Sequence, residues 1–140
     1  MARGLTLDTG ALVALETKNT NSPQSRRVRA VIRAAQERGA LVTVPSPVII
    51  EWWRGQRGPA ARLLDEFETP GLERTDAEEA GLALVGVTGP SPTDAAVMAG
   101  AAKRRDNVLT ADYEDMRKLR DRHFKHVVVL RIDKADGSAG

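Results

Sequence analysis

The sequence predicts an α/β fold in which a short parallel sheet has helices on both sides. Three observations lead to this prediction. Short apolar runs alternate along the chain with longer segments in which apolar residues recur at helical spacing. The apolar runs are rich in valine and leucine, which is typical of strands buried on both faces of a parallel sheet. Proline, glycine and small polar residues separate the two kinds of segment, at the points where helices begin and end.

The first half of the chain contains two predicted strands and four predicted helices. Asp8 ends the first strand and precedes a helix-like run of alanine, leucine and valine. Pro23 begins a helix whose apolar residues recur at i, i+3, i+4 and i+7, and Gly39 ends it. Pro45 ends a β-branched strand, and Pro59 begins the fourth helix. The strands are predicted at residues 4–7 and 41–44, and the helices at residues 10–18, 23–39, 48–54 and 59–68.

The second half contains three predicted strands and three predicted helices. Thr75 and Glu78 have the spacing of a capping box at the start of a helix. Ser91 and Pro92 predict the start of the next helix, and Asp112 that of the last one. The strands are predicted at residues 72–74, 107–110 and 127–130, and the helices at residues 75–87, 91–105 and 112–122.

The length and composition of the chain exclude several classes of protein to which it could otherwise belong. The 140 residues suit one compact domain, which we place at residues 1–132, followed by a flexible tail at 133–140. The sequence has no cysteine, which excludes disulfides, thiolate zinc sites and a thiol nucleophile. No leader-like segment and no membrane-spanning run is present, so we expect a cytoplasmic protein without a membrane partner. The net charge of +2 is weak evidence about partners.

Four acidic residues lie at or just after junctions between predicted strands and helices: Asp8, Glu51, Asp94 and Asp112. Parallel α/β sheets bind ligands outside the carboxyl ends of their strands, so we expect these side chains to meet at that edge. Four carboxylates in one place cannot all stay charged without a cation. The pattern therefore predicts a divalent-metal site and, with it, phosphate chemistry.

Each of these acids also has a purely structural interpretation. Asp8, Asp94 and Asp112 occupy positions where an aspartate caps a helix or complements its dipole. Glu51 lies inside an apolar run, residues 48–53, where an unpaired buried carboxylate would be costly, but it could also face solvent from an amphipathic helix. The histidines, His123 and His126, lie late in the chain and are interpreted as surface residues rather than as a general base.

Four segments together resemble the PIN domain and, within that family, the VapC-type toxins of bacterial toxin–antitoxin pairs. These segments are residues 5–15, 48–51, 93–99 and 108–112, in the family's order, spacing and strand–helix context. The resemblance extends from residue 5 to about residue 130. Trp52 and Trp53, directly after Glu51, depart from the family pattern.

The resemblance implies a three-layer α/β/α sandwich and a metal-dependent endoribonuclease with Mg²⁺ or Mn²⁺ as its cofactor. Asp8, Glu51, Asp94 and Asp112 match the four acids of the family pattern, and Thr110 matches its hydroxyl residue two positions before the last acid. In such a site Asp8, Asp94 and Asp112 are expected to hold the metal. Glu51 would act through water or orient the nucleophile, and Thr110 would hydrogen-bond a carboxylate or water.

The resemblance also implies partners: an RNA substrate, a VapB-like antitoxin and a second copy of the chain. Adjacent helical residues point about 100° apart, so we expect one of Trp52 and Trp53 in the core and the other at an interface. The basic clusters at residues 26–33 and 103–105 are expected to contact phosphates. Two alternatives stay open, a PIN-type RNA-processing nuclease outside toxin–antitoxin systems and a catalytically silent binding module. A receiver domain is disfavoured, because the paired acids after the first strand and the lysine after the last are missing.

Overall fold

A computed structural model describes residues 3–16, 21–55 and 58–133. Four parallel strands form one sheet in the order β2-β1-β3-β4. The strands are β1 (Leu5–Leu7), β2 (Val42–Thr43), β3 (Asn107–Thr110) and β4 (Val129–Arg131). The helices are α1 (Thr9–Glu16), α2 (Pro23–Glu37), α3 (Ser46–Trp53), α4 (Arg74–Leu84), α5 (Pro92–Arg104) and α6 (Tyr113–Arg122), with a 3-10 helix at Gly58–Glu66. The predicted α/β fold with a short parallel sheet is confirmed.

The strand expected at residues 72–74 is wrong, because α4 already begins at Arg74. The chain pairs with β2 earlier, where Glu68 forms a parallel bridge with Thr43. The backbone N–H of Glu68 donates to the carbonyl of Val42 (2.9 Å), and the N–H of Val44 donates to the carbonyl of Glu68 (2.8 Å). These bonds satisfy the backbone N–H and C=O groups on the outer edge of β2. The residues just before α4 therefore find no unpaired strand edge with which to form a sheet.

The capping box expected at Thr75 and Glu78 is also wrong. Glu73 is the N-cap of α4 and makes no side-chain capping bond, while Glu78 pairs with Arg74 one turn earlier. The start of α5 does have a complete capping box, made by Ser91 and Asp94. Residues 134–140 of the expected tail, and the expected end of the first helix at residues 17–18, lie outside the described residues.

The core lies between the sheet and its helices, and α5 is its most buried helix. Residues 95–101 of α5 are all buried, and five of these seven are alanine or glycine, which lets the helix lie close to the sheet. Trp52 is buried in the same core, whereas Trp53 is half exposed, as expected for neighbouring helical residues. The carboxyl ends of all four strands meet at one edge, where α1, α3, α5 and α6 begin.

Candidate active site

An acidic cleft of about 310 Å³ opens at the carboxyl edge of the sheet. The four acids that the sequence predicted line this cleft together with a fifth, Asp115, among small and hydroxyl-bearing residues. The lining residues are Asp8, Thr9, Gly10, Glu51, Gly89, Ser91, Thr93, Asp94, Val97, Ala111, Asp112 and Asp115. We call this set of residues the acid cleft.

Asp8 follows β1 and is only 5% exposed. Its Oδ1 accepts a hydrogen bond from the N–H of Ala11 (2.8 Å), so Asp8 does cap α1. Its Oδ2 accepts from the hydroxyl of Thr110 and from the N–H of Ala111 (3.3 Å). A carboxylate offers about four lone-pair sites, so these three donors leave room for one more partner. The capping interpretation and the site interpretation therefore both fit this residue.

Burial raises the pKa of Asp8 to about 6, because a charged carboxylate loses its water in this position. The hydrogen bonds from Thr110, Ala11 and Ala111 act in the opposite direction, and the charge of Asp94 raises the pKa further. The titration midpoint of this carboxyl therefore lies at about pH 6, well above its ordinary pKa of 3.8. A cation in the cleft would favour the ionised form.

Thr110 ends β3 and links two of the acids. Its hydroxyl donates to Asp8 and accepts a hydrogen bond from the backbone N–H of Asp112 (2.7 Å). The side chain is buried beneath the cleft. Thr110 therefore fixes the position of Asp8 relative to the start of α6.

Asp94 lies in the first turn of α5, where it completes the capping box. The N–H of Ser91 donates to its Oδ2 (2.9 Å), and its own N–H donates to the Ser91 hydroxyl (3.1 Å). Among the described residues these contacts use only one carboxylate oxygen of Asp94. Partial burial, followed by the charges of Asp115 and Glu51, raises the pKa of Asp94 above its ordinary value, while the Ser91 hydrogen bonds lower it.

Asp94, Asp112 and Asp115 each offer a carboxylate oxygen, and these three atoms lie within 4.8 Å of one another. Asp112 is the N-cap residue of α6 but makes no side-chain capping bond, so capping does not account for it. Desolvation, then a hydrogen bond with Asp115 and the charges of Asp115 and Asp94, raises the pKa of Asp112 to about 6. Two carboxyl groups can share a hydrogen bond only if one holds a proton, so this group is under strong pressure from like charge.

The sequence prediction did not include Asp115 in the site. The available signal was its spacing, because a residue three positions after Asp112 lies on the same face of a helix one turn later. The structure places it against the loop before α5, where a Cβ on Gly89 would come within 2.6 Å of the Asp115 Oδ1. This close approach brings the Asp115 carboxylate towards Asp94.

Glu51 lies on α3 and is partly buried at the cleft wall. Its Oε1 accepts a hydrogen bond from the hydroxyl of Thr9 at the start of α1 (2.7 Å). The alternative that Glu51 simply faces solvent is therefore wrong. Its other oxygen, Oε2, has no hydrogen-bond partner among the described residues.

The charges of the cleft are all of one sign. Within residues 3–16, 21–55 and 58–133, none of its five acids forms a salt bridge. Asp94 is central to them, since its charge interacts with those of the other four. Clustered carboxylate oxygens are the ligands that Mg²⁺ and Mn²⁺ prefer, so these residues fit a divalent cation.

The remaining residues considered in the sequence lie elsewhere. His123 and His126 line a separate cavity of about 150 Å³, and the ring of His123 contacts Glu79 (2.7 Å). Two cations of the cluster at residues 103–105 already have acidic partners: Lys103 pairs with Glu73 (2.9 Å), and Arg104 with the buried Asp106 (3.0 Å).

No helix among the described residues is long and apolar enough to span a membrane.

No family model and no curated protein matches the sequence. Solved structures do match the fold. A chain from the crystal structure of VapBC2 from Rickettsia felis, bound to a DNA fragment from its promoter, superposes with a TM-score of 0.71 at 10% identity, covering 91% of this chain and 97% of that one. FitAcB from Neisseria gonorrhoeae gives 0.70 at 14% identity, with 94% and 99% covered. VapC20 of Mycobacterium tuberculosis, a toxin that cleaves the Sarcin-Ricin loop, gives 0.61 at 18% identity, with 75% and 87% covered.

The chain has the fold of the VapC toxins. The predicted three-layer PIN-like architecture is thereby confirmed. At these low identities the likeness concerns the fold. The chemistry open to this chain is therefore set by the residues of the acid cleft.

The close packing beneath the acid cleft gives a first prediction, at Gly10 in α1. A Cβ on this residue would lie 2.3 Å from the Cβ of Ala111, which follows β3. A glycine-to-alanine change inside a helix normally stabilises by up to ~1 kcal/mol. Here Gly10→Ala is expected to lower the free energy of unfolding by ~1–3 kcal/mol, because α1 must move away from the loop. Denaturant unfolding measures this change.

Gly81 provides the matched control. It also lies inside a helix, α4, but a Cβ there meets nothing within 4 Å. Gly81→Ala is expected to stabilise the protein by ~0.5–1 kcal/mol. If Gly10→Ala stabilised it by the same amount, α1 would not be held as closely to β3 as the structure shows.

Proposed function

We propose that this chain is a metal-dependent endoribonuclease that acts as the toxin of a toxin–antitoxin pair. One observation carries the proposal. Asp8, Glu51, Asp94 and Asp112 come from four separate segments and line one cleft, and Asp115 joins them, on a fold shared with VapC toxins. Five uncompensated carboxylates at a ligand-binding edge are better explained by a cation site than by helix capping alone.

Asp94, Asp112 and Asp115 would hold a Mg²⁺ or Mn²⁺ ion, with Asp8 supplying a further oxygen. A divalent ion bound there would neutralise charge on a phosphodiester and lower the pKa of a bound water. Thr110 keeps Asp8 in place, and the Ser91 capping box keeps Asp94 in place. These fixed side chains give the site the preorganisation that charge stabilisation requires.

Glu51 is suited to orient the attacking water. Thr9 fixes its Oε1, and Oε2 lies free of described partners at the cleft wall. A carboxylate held in this way can accept a hydrogen bond from a water and take its proton. Histidine is not required for this role, since neither His123 nor His126 lines the cleft.

The proposed substrate is RNA, and the proposed location is the cytoplasm, where such substrates are found. VapC20, which shares the fold, is a toxin that cleaves the Sarcin-Ricin loop. Aromatic residues make up only 4% of the chain, so recognition through a row of stacked bases is disfavoured. Contacts with the phosphate backbone and with the shape of the RNA would then dominate recognition.

The proposed partners are a VapB-like antitoxin and a second copy of the chain. VapBC2 and FitAcB are the neighbours that suggest the antitoxin. A surface on α3 supports the second copy, because Ile50 is 67% exposed and Trp53 is 45% exposed one turn later. Large apolar side chains exposed side by side are typical of interfaces.

Trp53→Ala is expected to convert the dimer to monomer, because truncating an interfacial tryptophan removes much of the binding energy. Sedimentation velocity at micromolar concentration measures the change. Leu72→Ala is the matched control, since Leu72 is also exposed but lies in the loop before α4. If Trp53→Ala had the same sedimentation coefficient as wild type, the proposed α3 interface would be wrong.

The function is tested by incubating purified protein with total RNA, with and without Mn²⁺. Wild type is expected to produce discrete fragments only with the metal, and Asp8→Ala and Asp94→Ala are expected to produce none. Equal cleavage by all three proteins would show that the activity does not arise in the acid cleft. If calorimetry detected no heat with Mg²⁺ or Mn²⁺, a silent binding module would be favoured.

The toxin role needs a separate test, since an RNA-processing nuclease would also cleave RNA. Expression of the chain is expected to arrest growth, and co-expression of a small DNA-binding protein encoded next to it is expected to restore growth. Cleavage without growth arrest, or without such a neighbouring gene, would favour an RNA-processing nuclease outside toxin–antitoxin systems.

A further inference from the structure

Arg131 ends β4 beside the acid cleft. The register pairs its Cα with that of Thr110, the residue whose hydroxyl donates to Asp8. Neighbouring strands lie about 4.8 Å apart, so Arg131 starts one strand away from the centre of the cleft. Its guanidinium carbon lies 4.5 Å from the ring centroid of Tyr113, and Tyr113 directly follows Asp112. Neither side chain lines the cleft itself, but Arg131 is paired in register with Thr110 beneath it, and Tyr113 is next in sequence to the lining residue Asp112.

An RNA bound at this cleft would need basic side chains nearby to offset the repulsion between its phosphates and the carboxylates. The scissile phosphate would enter a site with five carboxylates, and the flanking phosphates carry the same sign of charge as the cleft walls. Several basic side chains of the chain are engaged elsewhere. Lys103 and Arg104 have acidic partners away from the cleft, and Arg29 donates to the carbonyl of Leu15 (2.7 Å). Two further cations lie nearby, since Lys118 Nζ donates to the carbonyl of Thr88 (3.0 Å) and the guanidinium carbon of Arg120 lies 5.9 Å from the Tyr113 ring centroid. Arg131 is the basic residue that the sheet register pairs with Thr110.

The present partner of Arg131 shows what the guanidinium can bind. Its Nε donates to Oδ1 of Asp133 (3.0 Å), and its other edge nitrogen, Nη2, donates to Oδ2 (3.1 Å). Two parallel N–H bonds to two oxygens are also the geometry in which arginine binds phosphate. The Asp133 side chain is 49% exposed, and ion pairs this open to water are weak and exchangeable.

We propose that Arg131, stacked on Tyr113, binds a backbone phosphate of the RNA beside the acid cleft, and that Asp133 occupies its guanidinium until the RNA displaces it. This inference rests on the proposed ribonuclease function. Tyr113 restricts the side chain of Arg131, which is only 19% exposed, so little rotational freedom is lost when a phosphate binds. Asp133 would weaken RNA binding by competing for the same two N–H groups.

The test uses the full chain, Mn²⁺ and a labelled single-stranded RNA that wild type cleaves. Arg131→Gln is expected to lower kcat/KM about five- to tenfold, mainly through KM, because a phosphate contact away from the reacting atoms gives uniform binding. The plot of log(kcat/KM) against log salt is expected to become shallower by about 0.7, the value for one phosphate contact on a single strand. Asp133→Asn is expected to raise kcat/KM about threefold, which general damage to the fold would not do.

Arg74→Gln is the matched control. It removes the same charge from a side chain that is paired with Glu78 on α4. It is expected to leave kcat/KM within about twofold of wild type and the salt slope unchanged. If wild type cleaves RNA and Arg131→Gln behaves like Arg74→Gln, this inference is overturned and the proposed function stands. If wild type cleaves no RNA, both are overturned. An unchanged kcat/KM for Asp133→Asn would overturn the competing role of Asp133.

Discussion

Asp94→Asn is expected to abolish Mn²⁺ binding and to lower the rate of RNA cleavage by at least about 100-fold. Asp94 has the central position in the acid cleft, because its charge interacts with those of Asp8, Glu51, Asp112 and Asp115. Removing that charge would take from the proposed metal site the carboxylate whose charge interacts with those of the other four. Calorimetric titration with Mn²⁺ and a single-turnover cleavage assay measure the two effects.

Glu78→Gln is the control for this experiment, since it removes one acidic charge from α4, where Glu78 pairs with Arg74. It is expected to keep both the calorimetric signal and the cleavage rate. Asp115→Asn tests whether Asp115 belongs to the metal site, as the structure indicates and as the sequence prediction did not. We expect it to weaken Mn²⁺ binding at least about tenfold. If Asp94→Asn retained wild-type heat and cleavage, the proposed metal centre would have to be abandoned.

Without metal, the wild-type protein is expected to lose stability as the pH rises from about 5 to 7. The carboxyl of Asp8 titrates near its ordinary value of 3.8 when unfolded but at about 6 in the folded chain. Between these values the folded protein holds a proton that the unfolded chain has released. The stabilisation is therefore complete below the unfolded pKa and is lost as the pH rises through the folded one. For Asp8 the full difference, from below the unfolded pKa to above the folded one, amounts to ~3 kcal/mol, and a little under half of it is lost between pH 5 and pH 7.

Two comparisons isolate this effect. The pKa of Asp112 is also raised to about 6, so that group acts in the same direction. Nearby arginines lower the pKa of Glu114 and Asp121, but those groups titrate below their ordinary values of 4.5 and 3.8, outside the window of pH 5 to 7. Denaturant unfolding of wild type and Asp8→Asn across this window should therefore show a smaller decline for the variant.

Mn²⁺ should reverse the decline, because the metal binds ionised carboxylates and stabilises the folded state more as the pH rises. The expected result is a melting temperature that Mn²⁺ raises more at pH 7 than at pH 5. A wild-type protein whose metal-free stability followed that of Asp8→Asn throughout the window would show that burial does not hold the proton on Asp8.

Much of the fold could be predicted from local signals. β1 and β3 begin and end within a residue of the expected positions, the proline signals gave the starts of α2 and α5 to within a residue, and Gly39 placed the end of α2 two residues too late. These features depend on residues that are neighbours in the chain, such as the Ser91–Asp94 capping box. The errors occurred where a tertiary partner decided the outcome. Glu68 rather than residues 72–74 pairs beside β2, and α4 begins before its expected cap.

The sequence by itself determined that acids follow β1 and β3, and that one lies in the second turn of α3 and one in the first turn of α5. A parallel sheet then brings them to one edge, because all of its strands end on the same side. Only the tertiary structure decided which partners they meet. It joins Asp8 to Thr110, Glu51 to Thr9, and Asp115 to the oxygens of Asp94 and Asp112. Those contacts depend on how closely loops and helices approach across the cleft, and spacing along the chain does not encode such distances.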